Sequence, residues 1–434
     1  MVKTGYGEFG IDVNESNFQP LEELRKNIIE ICNQVHVYKF DKKNPIIRLH
    51  EPTFSADEII AATETLLSTR VTMGKQVKKF EAQFSSMFGS KYGVTSNSGS
   101  SANLLAVAAL ANKSYEAGMR PGDEVIVPAV CWSTTVWPLI QHGLIPVIVD
   151  VDIKTLNIDC DAVERAIGPK TKAIMPVHVY GNPCDMDRLV QISKENNLFL
   201  IEDCCEALGA SYGGKSVGTF GDVGTFSFYF SHHISTLEGG ITITNNNQVN
   251  ELMIINRAHG WVRDLSDPSF YTEKYPEIDP RFLFVDTGYN LRITELQGAF
   301  GLVQLNKLNA FVDKRRYVTE RYERALAKNA RISGQIRNSN GNSSCFGFAL
   351  IANSSIDRNE LEKYLTAKGI ESRPIICGNI ARQPALKNYE HRVCGNLKNS
   401  DLVMDRGLSI GNHQHLDADA IEYVSDSIAK FQNS

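Results

Sequence analysis

GTFSFYFSHHISTLEGG occupies residues 224–240 of a 434-residue chain. Two short apolar runs, VGTFSFY and GGITIT, bracket a pair of histidines, His232 and His233. Runs of the same kind recur upstream as EVIVPAV, PVIVDVD, KAIMPVHV and LFLIED, each bounded by Gly, Pro, Asp or Asn and separated by helical segments. This alternation, sustained from about residue 57 to 310, predicts an α/β fold with a mostly parallel sheet flanked by helices on both faces.

The flanks divide the rest. Residues 20–36, PLEELRKNIIEICNQVH, place Leu21, Leu24, Ile28, Ile31 and Val35 on one helical face, an amphipathic helix packed on the main body. Residues 1–56 are read as an N-terminal extension, 57–310 as the large domain and 311–434 as a smaller C-terminal αβ domain. KLNAFVDKRRYVTERYERALAKN, from Lys307, is the long charged helix expected to link the two, and NSNGNSS at residues 338–344 a loop within the smaller one.

Composition narrows the chemistry. With 45 Lys and Arg against 50 Asp and Glu, a net charge of −5 excludes a broad basic surface for nucleic acid or an anionic membrane. An anionic ligand must be met locally, by a few arginines or by backbone amides. The start of the chain lacks a basic-then-apolar signal pattern and no run of about 18 apolar residues occurs, so a cytoplasmic protein is expected. Nine scattered cysteines without a C-x-x-C pair argue against a disulfide framework or a structural zinc.

Three segments carry candidate chemistry. SNSGSSANLLAVAAL, residues 96–110, runs from a Gly/Ser loop straight into an apolar helix; it is either a phosphate cradle at a helix N-terminus or a plain serine cap. Asp203 ends the LFLIED run, where α/β sheets hold their ligands; it is placed either to keep a pyridinium nitrogen protonated or to cap the next helix. Trp132, after another strand, either stacks on a flat ring or belongs to the core.

The order and spacing of SGSSANLL, IED at 201–203, GTFSFYFSHHISTLEGG and GYNLRITELQGAFGLVQL, residues 288–305, resemble the fold type I pyridoxal-phosphate family of nucleotide-sugar aminotransferases and dehydratases. The resemblance extends over nearly all of residues 57–434 and implies an aspartate-aminotransferase-like fold. Relatives that transfer amino groups carry a lysine at the position of His232, and that lysine bonds the cofactor. Here no lysine occurs between Lys215 and Lys274. Histidine at this point resembles the sugar-nucleotide 3-dehydratases of 3,6-dideoxyhexose pathways. The implied enzyme removes the C3 hydroxyl of a nucleoside-diphosphate 4-keto-6-deoxyhexose. Its cofactor is pyridoxamine or pyridoxal 5′-phosphate, held non-covalently, and His232 is its acid and base.

The same resemblance implies further roles. Ser100, Ser101 and Ser227 hold the cofactor phosphate, Asp203 meets the ring nitrogen, Trp132 stacks on the ring, and Glu206 stands where relatives have His or Gln. Asn290 reaches in from a neighbouring subunit, which makes a homodimer with shared sites the expected unit. Arg257, His259, Arg263, Arg292 and Arg373 are candidates for the substrate diphosphate or, equally, solvated surface groups. Iron–sulfur relatives carry a cysteine-rich loop after the histidine segment. No cysteine lies between Cys205 and Cys345, so no iron–sulfur cluster is expected and L-glutamate is the implied amino donor that recharges the cofactor. AHGWVRDL at 258–265 and IGNHQ at 410–414 favour a GDP-linked sugar, with CDP next. A reductase-coupled dehydrase, an aminotransferase and a non-catalytic sugar-nucleotide binder remain as alternatives.

Overall fold

The computed structural model describes residues 18–36 and 38–431. At its centre is an eight-stranded sheet in the order Tyr92–Ser96, Gly240–Thr244, Val223–Ser227, Phe199–Asp203, Thr171–Ile174, Glu124–Pro128, Ile145–Val149 and Arg392–Val393. Gly240–Thr244 runs antiparallel to both neighbours and the other pairings are parallel. The reversal follows from the stretch around the paired histidines. Residues 228–239 contain no helix to carry the chain back for a parallel return, so the strand after them comes home beside Val223–Ser227 in the opposite sense.

Parallel order puts the carboxyl ends of Tyr92–Ser96, Glu124–Pro128, Phe199–Asp203 and Val223–Ser227 along one edge of the sheet. The helix Gly99–Leu110 is apolar nearly all round and is sunk beneath that edge, with Ala102, Leu105, Ala106, Val107 and Ala109 buried. Its N-terminus therefore opens where Asp203 and Ser227 end their strands.

The smaller unit is an antiparallel sheet in the order Ile332–Gly334, Phe348–Ala352, Gly407–Ile410 and Ser372–Arg373, packed with the helices Ser355–Ala367 and Ala418–Lys430. Its core joins Val318 and Tyr322 to Leu350, Leu408 and Val424. Segments cross between the units. Ile47 bridges Ile370 and joins the small core, and Arg392–Val393 joins the edge of the large sheet. Residues 338–344 are not a plain loop, because Gly341–Asn342 pairs with Ser211–Tyr212.

The linking helix is Glu295–Leu326, which begins well before Lys307. Thr294 and Gln297 close a capping box at its start. Two glycines then allow close contact with the helix Lys75–Phe88: a Cβ on Gly298 would lie 2.6 Å from the Val77 nitrogen, and one on Gly301 2.8 Å from the Phe80 ring. The N-terminal helix Phe18–Val35 rests on Ala56–Leu67, tied by Arg25 to Glu64. Its covered stripe is Leu21, Leu24, Ile28 and Cys32, whereas Ile31 and Val35 are 59% and 69% exposed. Resting chiefly on one neighbour, the helix hides a narrower stripe than its apolar residues offer. Among the described residues no helix is long and apolar enough to cross a membrane.

Candidate active site

The carboxyl edge of the sheet and the small unit enclose a cavity of about 400 Å³. Ser100, Trp132, Asp203, Glu206, Ser227, His232 and Arg373 line it, so most of the residues singled out from sequence meet in one place.

Asp203 is buried and fixed by three donors. Its Oδ2 accepts from Asn103 Nδ2 and Thr135 Oγ1, both at 2.8 Å, and its Oδ1 accepts from the Cys205 amide at 3.1 Å. Thr225 Oγ1 in turn donates to Asn103 Oδ1 at 2.6 Å. Every carboxylate contact is a donor, so the aspartate is held as an acceptor suited to a protonated ring nitrogen.

The phosphate cradle is built by close packing. A Cβ on Gly99 would lie 2.5 Å from Ser227 Cβ, so glycine alone lets the first turn of Gly99–Leu110 sit against the Ser227 strand end. Ser98 caps that helix by accepting from the Ser101 amide at 3.1 Å. Ser100 Oγ meets Thr134 Oγ1 at 3.0 Å on the cavity wall. Ser101 is turned to other work: its hydroxyl donates to Asn97 Oδ1 at 2.6 Å, and it is not part of the wall. Trp132 stands at the mouth, 58% exposed, and so is not a core residue.

His232 Nδ1 donates to the Cys205 carbonyl at 2.7 Å. That bond fixes the tautomer and leaves Nε2 as the basic nitrogen for the cavity. Burial pushes this imidazole down to about 4, the Cys205 carbonyl opposing and the nearby Arg315 and His50 adding to the effect. His233 turns away from the cavity, wholly buried, with Nε2 donating to the Ser344 carbonyl. Glu206 accepts from the Tyr180 amide at 2.9 Å, and burial pushes its carboxyl up to about 7. No lysine is among the residues lining the cavity.

The arginine candidates separate. Arg373 lines the cavity, and no hydrogen bond or ion pair engages its guanidinium among the described residues. Arg257 is outside the cavity lining and engaged within the fold: it is 4% exposed, pairs with Glu81 at 2.6 Å and donates to the Thr95 carbonyl at 3.2 Å, bracing the helix Lys75–Phe88. His259, Arg292 and Asn290 form a separate surface group in which Arg292 donates to Asn290 Oδ1 at 3.1 Å and meets His259 Nε2 at 3.2 Å. Arg263 lies beside them, its guanidinium 3.8 Å from the Trp261 ring.

Sequence reasoning passed over Asn103, Thr135, Tyr180 and Phe346. Asn103 carried a signal, lying one helical turn after Ser100 on the same face. Phe346 carried none, since it arrives from the small unit. His178, Glu202 and Cys204 also gather within 4.8 Å, all buried. Glu202 there accepts from the amides of Gly218, Phe220 and Gly221 at 2.7–2.8 Å and from His178, so its oxygens brace a turn and are not available to a cation.

Residues 52–429 match the family described as DegT/DnrJ/EryC1/StrS aminotransferases. The chain belongs to this family. A GDP-4-keto-6-deoxy-D-mannose 3-dehydratase of Yersinia pseudotuberculosis is 43% identical over 372 residues, covering 84% of this chain and 94% of that protein. The structure of the Escherichia coli GDP-4-keto-6-deoxy-D-mannose-3-dehydratase with bound hydrated PLP superposes with a TM-score of 0.82 at 39% identity, over 88% of this chain and 98% of that one. A structure of such a dehydratase with a trapped PLP-glutamate geminal diamine matches with the same TM-score and identity, over 88% of this chain and 99% of that one. The family inferred from the motifs is the one found, and its aminotransferase-like α/β fold is the one observed.

Proposed function

We propose that the protein is a 3-dehydratase that removes the C3 hydroxyl of a nucleoside-diphosphate 4-keto-6-deoxyhexose, GDP-linked by preference, with L-glutamate as amino donor. The observation that carries this reading is His232: an imidazole anchored through Nδ1 lines the cavity and no lysine does. Pyridoxamine phosphate, when bound, supplies the amine that joins the sugar carbonyl and a ring that withdraws electrons. The residues fit such a group. The first turn of Gly99–Leu110, with Ser100 and Ser227, suits its phosphate; Asp203 suits its ring nitrogen; Trp132 suits its face.

His232 does the proton work. Held neutral at working pH, it accepts a proton at Nε2, and its conjugate acid is strong enough to pass that proton to the departing C3 oxygen. Glu206, close to neutral pH in its titration, belongs to the cofactor-binding set. Arg373 is the diphosphate cation on this chain. Asn290, bonded to Arg292, which in turn meets His259, serves the site of a second copy in a cytoplasmic homodimer, and Arg263 stands beside them.

Purified protein supplied with pyridoxal phosphate, glutamate and either GDP- or CDP-4-keto-6-deoxyhexose tests this. Loss of the C3 oxygen in step with release of ammonia and 2-oxoglutarate is expected, strongest with the GDP sugar and abolished in His232→Asn while the cofactor still binds. Accumulation of an amino sugar, or a requirement for an added reductase, overturns the reading.

A further inference from the structure

Arg315, on the inner face of the long helix, is 1% exposed and has no carboxylate partner among the described residues. Its Nη1 donates to the carbonyls of Phe346, at 2.9 Å, and Asn412, and its Nη2 reaches Gln414 Oε1 at 3.5 Å. Arg316, the next residue, has Asp313 for its charge. A buried cation that meets only neutral oxygens is costly to keep.

What the guanidinium grips is the back wall of the cavity. The Phe346 ring lies 4.9 Å from His232 and stacks 6.1 Å from Tyr180, and the Phe346 amide donates to the Tyr180 carbonyl at 3.1 Å. Asn412, in IGNHQ, ties the same place to the long helix and the neighbouring loop through Thr319 Oγ1 at 2.9 Å and the Cys345 carbonyl at 3.3 Å. Arg315 thus joins two segments of the small unit directly behind the imidazole.

We propose that Arg315 is a positioning residue for His232: by gripping the Phe346 and Asn412 carbonyls it seats the Phe346 ring against the imidazole and keeps a fixed positive charge behind it. The proposal rests on the reading of His232 as the acid and base. The ionisable groups around His232 are Asp203, Cys205 and Glu206 from the strand end and the turn after it, Tyr180, then Tyr229, His233 and Glu238 from its own loop, His50 from the N-terminal segment, and Arg373 and Arg315. His50, His232, His233, His413 and His415 are all pushed below the usual imidazole range, by burial first and with Arg315 contributing to each. The charge therefore acts on the whole histidine group that joins the N-terminal segment, the catalytic loop and the small unit.

The test follows His232 by ¹⁵N NMR in the full-length, histidine-labelled protein loaded with pyridoxal phosphate, its signal assigned by loss in His232→Asn, beside the pH profile of kcat. In Arg315→Met the titration is expected to rise toward the free value of about 6.5. In the same variant kcat should fall on the order of 10- to 100-fold at unchanged KM. Arg315→Lys should titrate near the parent. A folded Arg315→Met with parental titration and kcat overturns the proposal, and so does Arg315→Lys titrating like Arg315→Met. Should Arg315→Met fail to fold, Phe346→Leu, which leaves the cation in place, is expected to lower kcat without changing KM; parental kcat there overturns it. The titration needs no substrate, so its outcome is separate from that of the dehydration assay.

Discussion

His232 meets the cavity with one nitrogen anchored, while His233 donates to the Ser344 carbonyl in a fully buried place. The two lie in the turn beyond Val223–Ser227, where the His232 amide donates to the Tyr229 carbonyl, and there the pair of identical side chains divides into one that faces the cavity and one that fastens the small unit. Arg257 shows the converse, a residue whose type suits a diphosphate but whose place is structural. Its ion pair with Glu81 is almost wholly buried, and removing one partner of such a pair costs about 3–5 kcal/mol. Arg257→Met is expected to lose stability of that order in denaturant unfolding with little change in substrate KM at permissive temperature. A raised KM at parental stability would restore it as a ligand residue.

At the scale of elements, the site is assembled by close approaches. The long helix meets Lys75–Phe88 through Gly298 and Gly301, and Glu295 at its start accepts from the amides of Gly74, Gln76 and Val77 at 2.7–3.0 Å. The carboxylate caps one helix from the first turn of another, a favourable place for negative charge. A valine at 298 would force its Cβ to within 2.6 Å of the Val77 backbone nitrogen, which cannot swing aside as a side chain would. Gly298→Val is therefore expected to destabilise by about 1–3 kcal/mol, read as a lower denaturation midpoint at unchanged slope. GAFG, part of the family motif, is thus a packing device, and its span explains why the helix starts before its charged stretch.

For the whole molecule, the buried histidines set an acid limit. His232 and His413 are held near 4 and 3 against a usual 6.5, so the unfolded chain binds more protons across that interval. Their contribution to stability is complete above about 6.5 and is lost as the pH falls through the folded values. Glu206, raised from 4.5 to about 7, acts in the opposite sense and favours the fold as the pH drops through that window. The melting temperature should fall between pH 7 and 4, and more steeply in Glu206→Gln; an unchanged slope in that variant would show that Glu206 titrates normally. The alternation of apolar runs determined the α/β class, and the run of motifs from SGSSANLL to GYNLR determined the family. These are local patterns, written in neighbouring residues and their periods. Which arginine faces the cavity, that Asn103 and Thr135 clamp Asp203, and that Phe346 and Arg315 stand behind His232 were decided only by the tertiary structure. Those contacts join segments far apart in the chain, and burial, which no short stretch specifies, settles whether a charged side chain serves a ligand or the fold.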